Sequence, residues 1–192
     1  MLFRSGLVDV CTPNNVHAEM SIAALEAGRH VACEKPLAAT LDEARSMKEA
    51  ANRARRRGVQ SFVWFNYRRV PALAYAHRLI QSGRLGRIFH VRAAYLQDWG
   101  HPDTPLVWRF DAKQAGSGAH GDLNAHIIDL ARFLTGEEIV EVIGAVEETF
   151  VKRREIVGDA GVAIKGGASR GRGAPRTGRS TVDDAVLFLA RM

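Results

Sequence analysis

Two groups of charged side chains have the residue types and the spacing that acid–base chemistry requires. Glu34-Lys35-Pro36 directly follows an apolar run, and Asp122 precedes His126 by four residues in a segment with helical periodicity. A partly buried lysine can give positive charge or a hydrogen bond to a substrate oxygen, and a neighbouring carboxylate can keep it in place. An imidazole one helical turn from a carboxylate can accept and return a proton. Both groups are therefore candidates for a catalytic site.

Each group also has an ordinary structural explanation. Glu34 and Lys35 could form an ion pair at the start of a surface loop. Asp122 could cap the first turn of a helix, with His126 half-buried behind it. Zinc ligation by His120, His126 and Asp122 is the weakest alternative, because His120 is out of helical register and no fourth ligand accompanies them. We therefore predict no metal site.

The elements around these groups determine where they lie. Three apolar runs predict strands, at residues 6–12, 30–33 and 59–67. Two segments between them predict helices, at residues 16–28 and 40–57, and Thr40 with Glu43 forms a capping-box pattern at the second helix. Strands that alternate with helices at this spacing are typical of βαβ units. We predict an α/β fold with a partial doubly wound (Rossmann) parallel sheet.

A different pattern follows residue 69. Helices are predicted at residues 71–80 and 122–134, the second ended by Gly136, and strands at residues 87–97, 139–150 and 181–192. The alternation in residues 87–97 favours an antiparallel sheet with one exposed face. We predict that residues 1–69 form the C-terminal half of a doubly wound domain. Residues 70–192 are predicted to form a partial α+β domain with a largely antiparallel open sheet.

The net charge of +6 comes from one segment. Eight basic residues and two acidic ones lie between Lys152 and Arg179, so the remainder of the chain is balanced. This stretch is rich in glycine and arginine and has no aromatic residue on which bases could stack. We expect residues 155–180 to be a mobile, solvated loop, and we expect no nucleic-acid partner.

The cysteines and the hydropathy limit the class of protein. Cys11 and Cys33 each lie in an apolar run without CxxC spacing, which predicts buried reduced thiols rather than a disulfide framework or a zinc site. Charged residues interrupt every apolar run before 18 residues, and the N-terminus has no signal-peptide pattern. We expect a cytoplasmic protein without a membrane partner.

Polar residues follow two neighbouring strands of the predicted parallel sheet. Thr12-Pro13-Asn14 follows the first strand, and Glu34-Lys35-Pro36 follows the second. The carboxyl ends of parallel strands meet at one edge of the sheet, and ligands of open α/β sheets bind in the crevice beyond that edge. Both segments are therefore predicted to face a ligand-binding crevice.

Longer stretches carry a resemblance to a known family. TPNNVHAEMSIAALEAGRHVACEKPLA, followed later by GSGAHGDLNAHIIDLARFLTGE, resembles the Gfo/Idh/MocA family of NAD(P)-dependent sugar and polyol dehydrogenases. The resemblance covers most of residues 7–150 and resumes at TVDDAVLFLARM. E-K-P after a strand and D-x-x-x-H on a later helix are short motifs, but their order and spacing together are specific. YLQDWGHPDTPLVWRFD is similar to a subgroup that acts on sugars or inositols.

The resemblance implies a reaction and the residues that perform it. Lys35 corresponds to the family's catalytic lysine, and Asp122 with His126 to its acid–base pair. Hydride would pass from a carbinol carbon to NAD or NADP, while His126 accepts the hydroxyl proton and Lys35 stabilises the developing alkoxide. Tyr67 and Arg68 are implied to lie near the same site. The implied cofactor-binding residues are Thr12, Pro13, Asn14, His17, Glu34, Pro36, Trp108 and Arg109, of which the last two could instead reach the substrate. The implied partners are a sugar or polyol and, for the full-length protein, further copies of itself.

The sequence also departs from the family pattern. No GxGxxG occurs, whereas a dinucleotide-binding domain opens with a strand, a glycine-rich turn and a helix. We expect the natural protein to continue in both directions and this chain alone to be inactive. Asn124-Ala125 stands where relatives usually have Gly-Ser, and His120 replaces an aliphatic residue, which leaves the substrate open. NAD and NADP are not distinguished. The alternative is a catalytically silent family member that serves as a ligand-binding or regulatory module.

Overall fold

A computed structural model describes residues 6–157 and 176–192. Its strands are β1 (Leu7–Val10), β2 (His30–Cys33), β3 (Ser61–Val63), β4 (Glu141–Glu148), β5 (Arg153–Glu155), β6 (Thr177–Arg179) and β7 (Ala185–Arg191). Its helices are α1 (His17–Glu26), α2 (Leu41–Arg55), α3 (Pro71–Gln81), α4 (Ala112–Ala115) and α5 (Ala125–Thr135). The described chain divides into two compact units. The first contains the residues up to Phe65 together with Lys113–Gly116, and the second contains Asn66–Ala112 and the residues from Ser117 onward.

The first unit is a parallel α/β structure, as predicted. Its strands lie in the order β1-β2-β3, and both neighbouring pairs run parallel. The buried core combines residues of β1 and β2, residues of α1 and α2, and one residue that precedes β3, namely Val10, Ala18, Ala24, Leu25, Val31, Cys33, Met47, Ala50, Ala54 and Val59. Burial of these side chains supplies the main stabilisation of the unit.

The start of α2 is fixed by the predicted capping box. The Thr40 hydroxyl accepts a hydrogen bond from the Glu43 amide at 3.2 Å, and the Glu43 carboxylate accepts one from the Thr40 amide at 2.9 Å. Two amide groups that have no helical partner are satisfied in this way. The predicted third strand is too long, because only β3 pairs with β2 before the chain enters a 3-10 turn at Asn66–Arg69.

The second unit contains two antiparallel strand pairs and the helices α3 and α5. β4 pairs with β7, and β5 pairs with β6. α5 ends at Gly136, whose φ of 78° lies in the left-handed region that glycine adopts without strain, as the sequence predicted. No helix in the described ranges is both long enough and apolar enough to cross a membrane.

Two predictions about strands and loops are wrong. Residues 87–97 do not form a strand, because no strand in the described part of the chain pairs with them, and Phe89 and Leu96 are 84% and 88% exposed. Alternation indicates an extended chain, but a strand also requires a hydrogen-bonding neighbour. The predicted loop at residues 155–180 is too wide, since Glu155 ends β5 and Thr177–Arg179 forms β6. Its central part, residues 158–175, lies outside the described residues.

The two cysteines differ in their surroundings. Cys33 is buried in the core, as predicted, and burial raises the pKa of its thiol. Cys11 is exposed, so the prediction of a buried thiol is wrong there. The physical reason is that β1 ends at Val10, and Cys11 follows the last residue that the sheet covers.

Candidate functional site

The polar segments of the first unit leave the sheet at one edge. Val10 and Cys33, the last residues of β1 and β2, are paired in the parallel register. The Glu34 amide then donates to the Val10 carbonyl at 2.9 Å, which continues the ladder by one residue. Thr12-Pro13-Asn14 and Glu34-Lys35-Pro36 therefore emerge side by side, in the arrangement that the sequence predicted.

The His17 side chain lies within hydrogen-bond distance of both segments. Its side chain is completely buried, with Nε2 at 2.8 Å from the Thr12 carbonyl oxygen and Nδ1 at 3.0 Å from the Pro36 carbonyl oxygen. A neutral imidazole has one N–H, so it donates to one of these two carbonyl oxygens at a time, while the ring packs between both turns. The structure gives His17 a positioning role for the backbone, and its contact with a cofactor stays a prediction.

Glu34 organises the turn that carries Lys35. The Glu34 carboxylate accepts a hydrogen bond from the Lys35 backbone amide at 3.0 Å, and the peptide bond between Lys35 and Pro36 is cis. Lys35 is half-buried. The carboxylate thus contacts the backbone of the turn that carries Lys35.

One hydroxyl group at this edge lacks a hydrogen-bond partner among the residues that the structure describes. Thr12 Oγ1 is buried and has no hydrogen-bond partner among the described residues. Asn14 is half-buried, and its Nδ2 donates to the Ala115 carbonyl at 2.8 Å. An unpaired buried hydroxyl costs free energy unless a bound group satisfies it, so Thr12 Oγ1 fits a polar ligand.

Asp122 and His126 lie at the start of one continuous helix, but not in a regular α-helix. His120–Asn124 forms a π-helical turn, and α5 follows from Ala125. The expectation of a regular helix from Asp122 is therefore wrong, because the π turn changes the register by part of a turn. Such turns occur often at functional sites. His126 is buried, with 8% of its surface exposed.

The Trp108-Arg109 element lies beside Asp122. A guanidinium nitrogen of Arg109 is 3.4 Å from Oδ1 of Asp122. The same guanidinium lies over the ring of Trp108, with 4.7 Å between its central carbon and the ring centroid, and 6.0 Å from the ring of Trp99. Trp108 and Arg109 are therefore placed next to one predicted catalytic residue.

Two tyrosines surround His126 on another side. The ring of Tyr67 lies 4.5 Å from the His126 ring, and the ring of Tyr95 lies 5.9 Å from it. The two phenol groups are hydrogen-bonded to each other, and Gln97 Nε2 donates to the Tyr95 oxygen at 2.7 Å. The hydrogen bond with Tyr67, together with burial, raises the pKa of Tyr95 to about 12. Tyr95 therefore stays protonated to a higher pH than an ordinary tyrosine.

Tyr67 is held in place by its neighbour Arg68. The Arg68 guanidinium donates two hydrogen bonds to the buried Asp129 carboxylate of α5, one of them at 2.8 Å, and it lies 5.3 Å from the Phe133 ring centroid. This pair raises the pKa of Arg68. A bidentate pair of this kind fixes orientation as well as distance. Arg68 is thus a positioning residue in this structure.

The interpretation of the sequence missed Tyr95, Gln97 and Trp99 as site residues. For Tyr95 and Gln97 a signal was present, because residues two apart in an extended chain point to the same side. It was assigned to a sheet face instead, and Trp99 lay in a segment interpreted as a loop. The zinc alternative is not supported: no group of three or more His, Cys, Asp or Glu side chains in residues 6–157 and 176–192 could hold a metal ion.

Models of protein families match both units of the chain. Residues 4–62 match an oxidoreductase family with an NAD-binding Rossmann fold, and residues 73–192 match the GFO/IDH/MocA C-terminal domain. The chain belongs to the GFO/IDH/MocA family. The resemblance inferred from its motifs and the Rossmann-type α/β fold are thereby confirmed.

Individual members of the GFO/IDH/MocA family are similar over nearly the whole chain. Levoglucosan dehydrogenase of Pseudarthrobacter phenanthrenivorans is 44% identical over 186 residues, which are 96% of this chain and 46% of that protein. An oxidoreductase domain protein from Kribbella flavida has a TM-score of 0.85 at 51% identity, covering 96% of this chain and 44% of that one. A levoglucosan dehydrogenase in complex with NADH and levoglucosan has a TM-score of 0.81 at 41% identity, covering 97% and 44%. The chain thus spans less than half the length of these family members.

Proposed function

We propose that the protein carrying this chain is an NAD(P)-dependent dehydrogenase that acts on a CH–OH group of a sugar or cyclic polyol. The surroundings of His126 carry the proposal. The buried imidazole of His126, four residues after Asp122, packs against Tyr67 and Tyr95. The two tyrosines are hydrogen-bonded to each other, and Gln97 donates to Tyr95. An imidazole can accept a proton from one hydroxyl group while phenol and amide groups bind others.

The polar character of this cluster and the names of the relatives support the proposed substrate class. Phenol and amide groups donate and accept hydrogen bonds, as the hydroxyl groups of a sugar require. A relative that is 44% identical is named levoglucosan dehydrogenase, and related structures contain levoglucosan or L-sorbose together with NADH. Levoglucosan is therefore the first substrate to test.

The first unit fits a nicotinamide cofactor at the carboxyl edge of its parallel sheet. The buried Thr12 hydroxyl without a partner is the observation that supports this fit. We propose that Thr12, Pro13, Asn14, Glu34 and Pro36 hold the cofactor there, with His17 supporting their backbone. When bound, the nicotinamide accepts the hydride that leaves the carbinol carbon.

The residues of the chain divide the remaining work. His126 accepts the hydroxyl proton at a ring nitrogen as the carbonyl double bond forms, and Lys35 stabilises the negative charge that develops on that oxygen. Asp122 is the charged partner of the acid–base pair and is itself paired with Arg109. Tyr67, Tyr95 and Gln97 orient the substrate, which lowers the entropic part of the barrier.

The test uses the gene product that carries these 192 residues. It is assayed for reduction of NAD⁺ and of NADP⁺, followed at 340 nm, with levoglucosan, glucose and myo-inositol as substrates. His126→Ala and Lys35→Ala should each lower kcat by about 10²-fold or more, the usual effect of lost acid–base help. His90→Ala and Lys48→Ala are the matched controls, because both residues are exposed and neither is among the residues proposed for the site.

Two outcomes would contradict the proposal. Near-normal turnover in His126→Ala and Lys35→Ala would remove both residues from the reaction. Cofactor binding without turnover of any of the three substrates would favour the silent family member, since a ligand-binding module keeps the nucleotide site and loses the chemistry.

A further inference from the structure

Asp183 lies against the start of the helix that carries Asp122 and His126. Its Oδ1 accepts a hydrogen bond from the Gly118 amide at 2.6 Å, and its Oδ2 accepts one from the His120 amide at 2.7 Å. Its backbone carbonyl accepts a third, from Ala119 at 3.1 Å. These amides lie at the N-terminal end of the helix, where no helical carbonyl is available to accept from them and a negative charge is favoured. Asp183 is 5% exposed, so water does not compete for these bonds.

Gly118 makes this close approach possible. A Cβ atom at Gly118 would lie 1.9 Å from the Asp183 carbonyl oxygen and 2.9 Å from a methyl group of Val182. Both distances are shorter than side chains can adopt, so any other residue would displace the segment of Asp183. The contact therefore joins two residues that are 65 positions apart, and it requires glycine at position 118.

Asp184, the next residue, binds a different segment of the second unit. Its carboxylate accepts hydrogen bonds from the Val151 amide at 2.8 Å and from the Arg154 guanidinium at 3.2 Å. Arg154 is fully buried and donates to carbonyl groups of the segment that follows Trp99, at Gly100 (2.9 Å), His101 (2.8 Å) and Thr104 (3.3 Å).

Arg154 also supports the Trp108-Arg109 element. The central carbon of its guanidinium is 3.6 Å from the ring centroid of Phe110, the residue that follows Arg109. A buried guanidinium that binds carbonyl groups and an aromatic face holds its neighbours in one geometry, because each unpaired N–H would be costly. Asp184, through Arg154, therefore holds the segment that bears Trp99, Trp108 and Arg109.

We infer that the pair Asp183-Asp184 positions two parts of the candidate site of the second unit relative to each other. Asp183 holds the helix of Asp122 and His126, and Asp184 holds the segment of Arg109. The 3.4 Å pair between Arg109 and Asp122 joins the two parts that the aspartates hold. Both aspartates are positioning residues. The inference about turnover rests on the proposed function, whereas the inference about the helix start does not.

The first test measures the helix start directly, by hydrogen exchange of the Gly118 and His120 amides in the intact gene product. In the wild type, both amides should exchange as slowly as interior amides of α5, although no helical carbonyl accepts them. In Asp183→Asn, which removes one acceptor oxygen and the charge, their exchange should accelerate about tenfold or more. Thr149→Val is the matched control: it removes a hydrogen bond from Thr149 to the Val182 carbonyl (2.9 Å) and leaves the helix contacts intact.

The second test separates positioning from general stability through kcat and KM with levoglucosan. Asp183→Asn should lower kcat by about 10²-fold with KM nearly unchanged, because a small displacement of a proton acceptor has this effect. Asp184→Asn should mainly raise KM, because it loosens the segment of Trp99 and Arg109. Thr149→Val should change neither constant.

Each part of the inference can be overturned separately. Wild-type Gly118 and His120 amides that exchange at unprotected rates would overturn the helix contact, and this measurement needs no variant to fold. Accelerated exchange in Asp183→Asn with an unchanged kcat would overturn the effect on the reaction while leaving the proposed function intact. If the wild type turns over no substrate, the proposed function fails and the exchange data still decide whether Asp183 holds the helix.

Discussion

The buried ion pair between Arg68 and Asp129 provides a sharp test, because the chain also contains an exposed pair of the same geometry. The Asp129 side chain is 4% exposed, and both of its oxygens accept hydrogen bonds from Arg68. Arg132 and Glu138 form a similar double contact at 2.6 and 2.7 Å, but the Glu138 side chain is 68% exposed. The two pairs thus differ mainly in burial.

Arg68→Ala should lower the free energy of unfolding by about 3 kcal/mol. Removal of one partner from a buried pair costs roughly 3–5 kcal/mol, because the remaining charge is left without compensation. The lower end of this free-energy range applies because the Arg68 side chain is 41% exposed and water can reach part of the site. Arg132→Ala should cost clearly less, because water replaces its contacts. Urea unfolding with linear extrapolation measures both values.

A double variant distinguishes a buried charge from lost packing. Arg68→Met combined with Asp129→Leu removes both charges and should recover most of the stability that Arg68→Ala loses. Arg68→Lys should recover only part, because an ammonium group cannot make the two parallel bonds. Equal losses in Arg68→Ala and Arg132→Ala, or no recovery in the double variant, would refute the reasoning from burial.

Three further predictions concern single side chains. Tyr67→Phe should lower the pKa of Tyr95 from about 12 towards its ordinary value, so that the absorbance at 295 nm rises at a lower pH during alkaline titration. In the wild type, the raised pKa of Tyr95 contributes to the free energy of unfolding. This contribution should persist up to about pH 10 and be lost as the pH rises through about 12. Cys11 should react with a thiol reagent in the folded protein because it is exposed, and the rate should rise with pH because the thiolate is the reactive form; partial desolvation and the Asp9 carboxylate raise the pKa of Cys11 and move this rise to higher pH. Cys33 should react only on unfolding, and equal rates for the two would contradict this. His17→Ala should cost about 2 kcal/mol or more in unfolding free energy, since it removes a hydrogen bond to a backbone carbonyl and leaves space at a completely buried position, and a variant as stable as the wild type would remove the positioning role.

The first unit was largely predictable because its signals are local. The capping box of Thr40 and Glu43, the apolar run of β2 and the glycine after α2 act over a few residues, and each was found where it was expected. The parallel orientation of the strands then follows from the alternation of strands and helices. The position of the polar segments at the carboxyl edge follows from that orientation.

The second unit was less predictable because its geometry depends on distant residues. The start of the π turn that carries Asp122 is hydrogen-bonded to Asp183. Nothing in the local sequence indicates this contact, because about 60 positions separate the two segments. Residues 87–97 have a strand pattern but no described partner strand. The tyrosines beside His126 meet only through tertiary packing, which overrides the periodicity that assigned Tyr95 to a sheet.

The central proposal, that Lys35 and His126 serve the same reaction step, is tested most directly by a double-variant cycle on kcat. The cycle uses Lys35→Ala, His126→Ala and the double variant of the intact gene product, with levoglucosan and the preferred nicotinamide. Residues that serve one transition state are strongly non-additive, so the double variant should be little slower than the slower single variant. Two losses that multiply in full, or a single variant with near wild-type kcat, would contradict the claim.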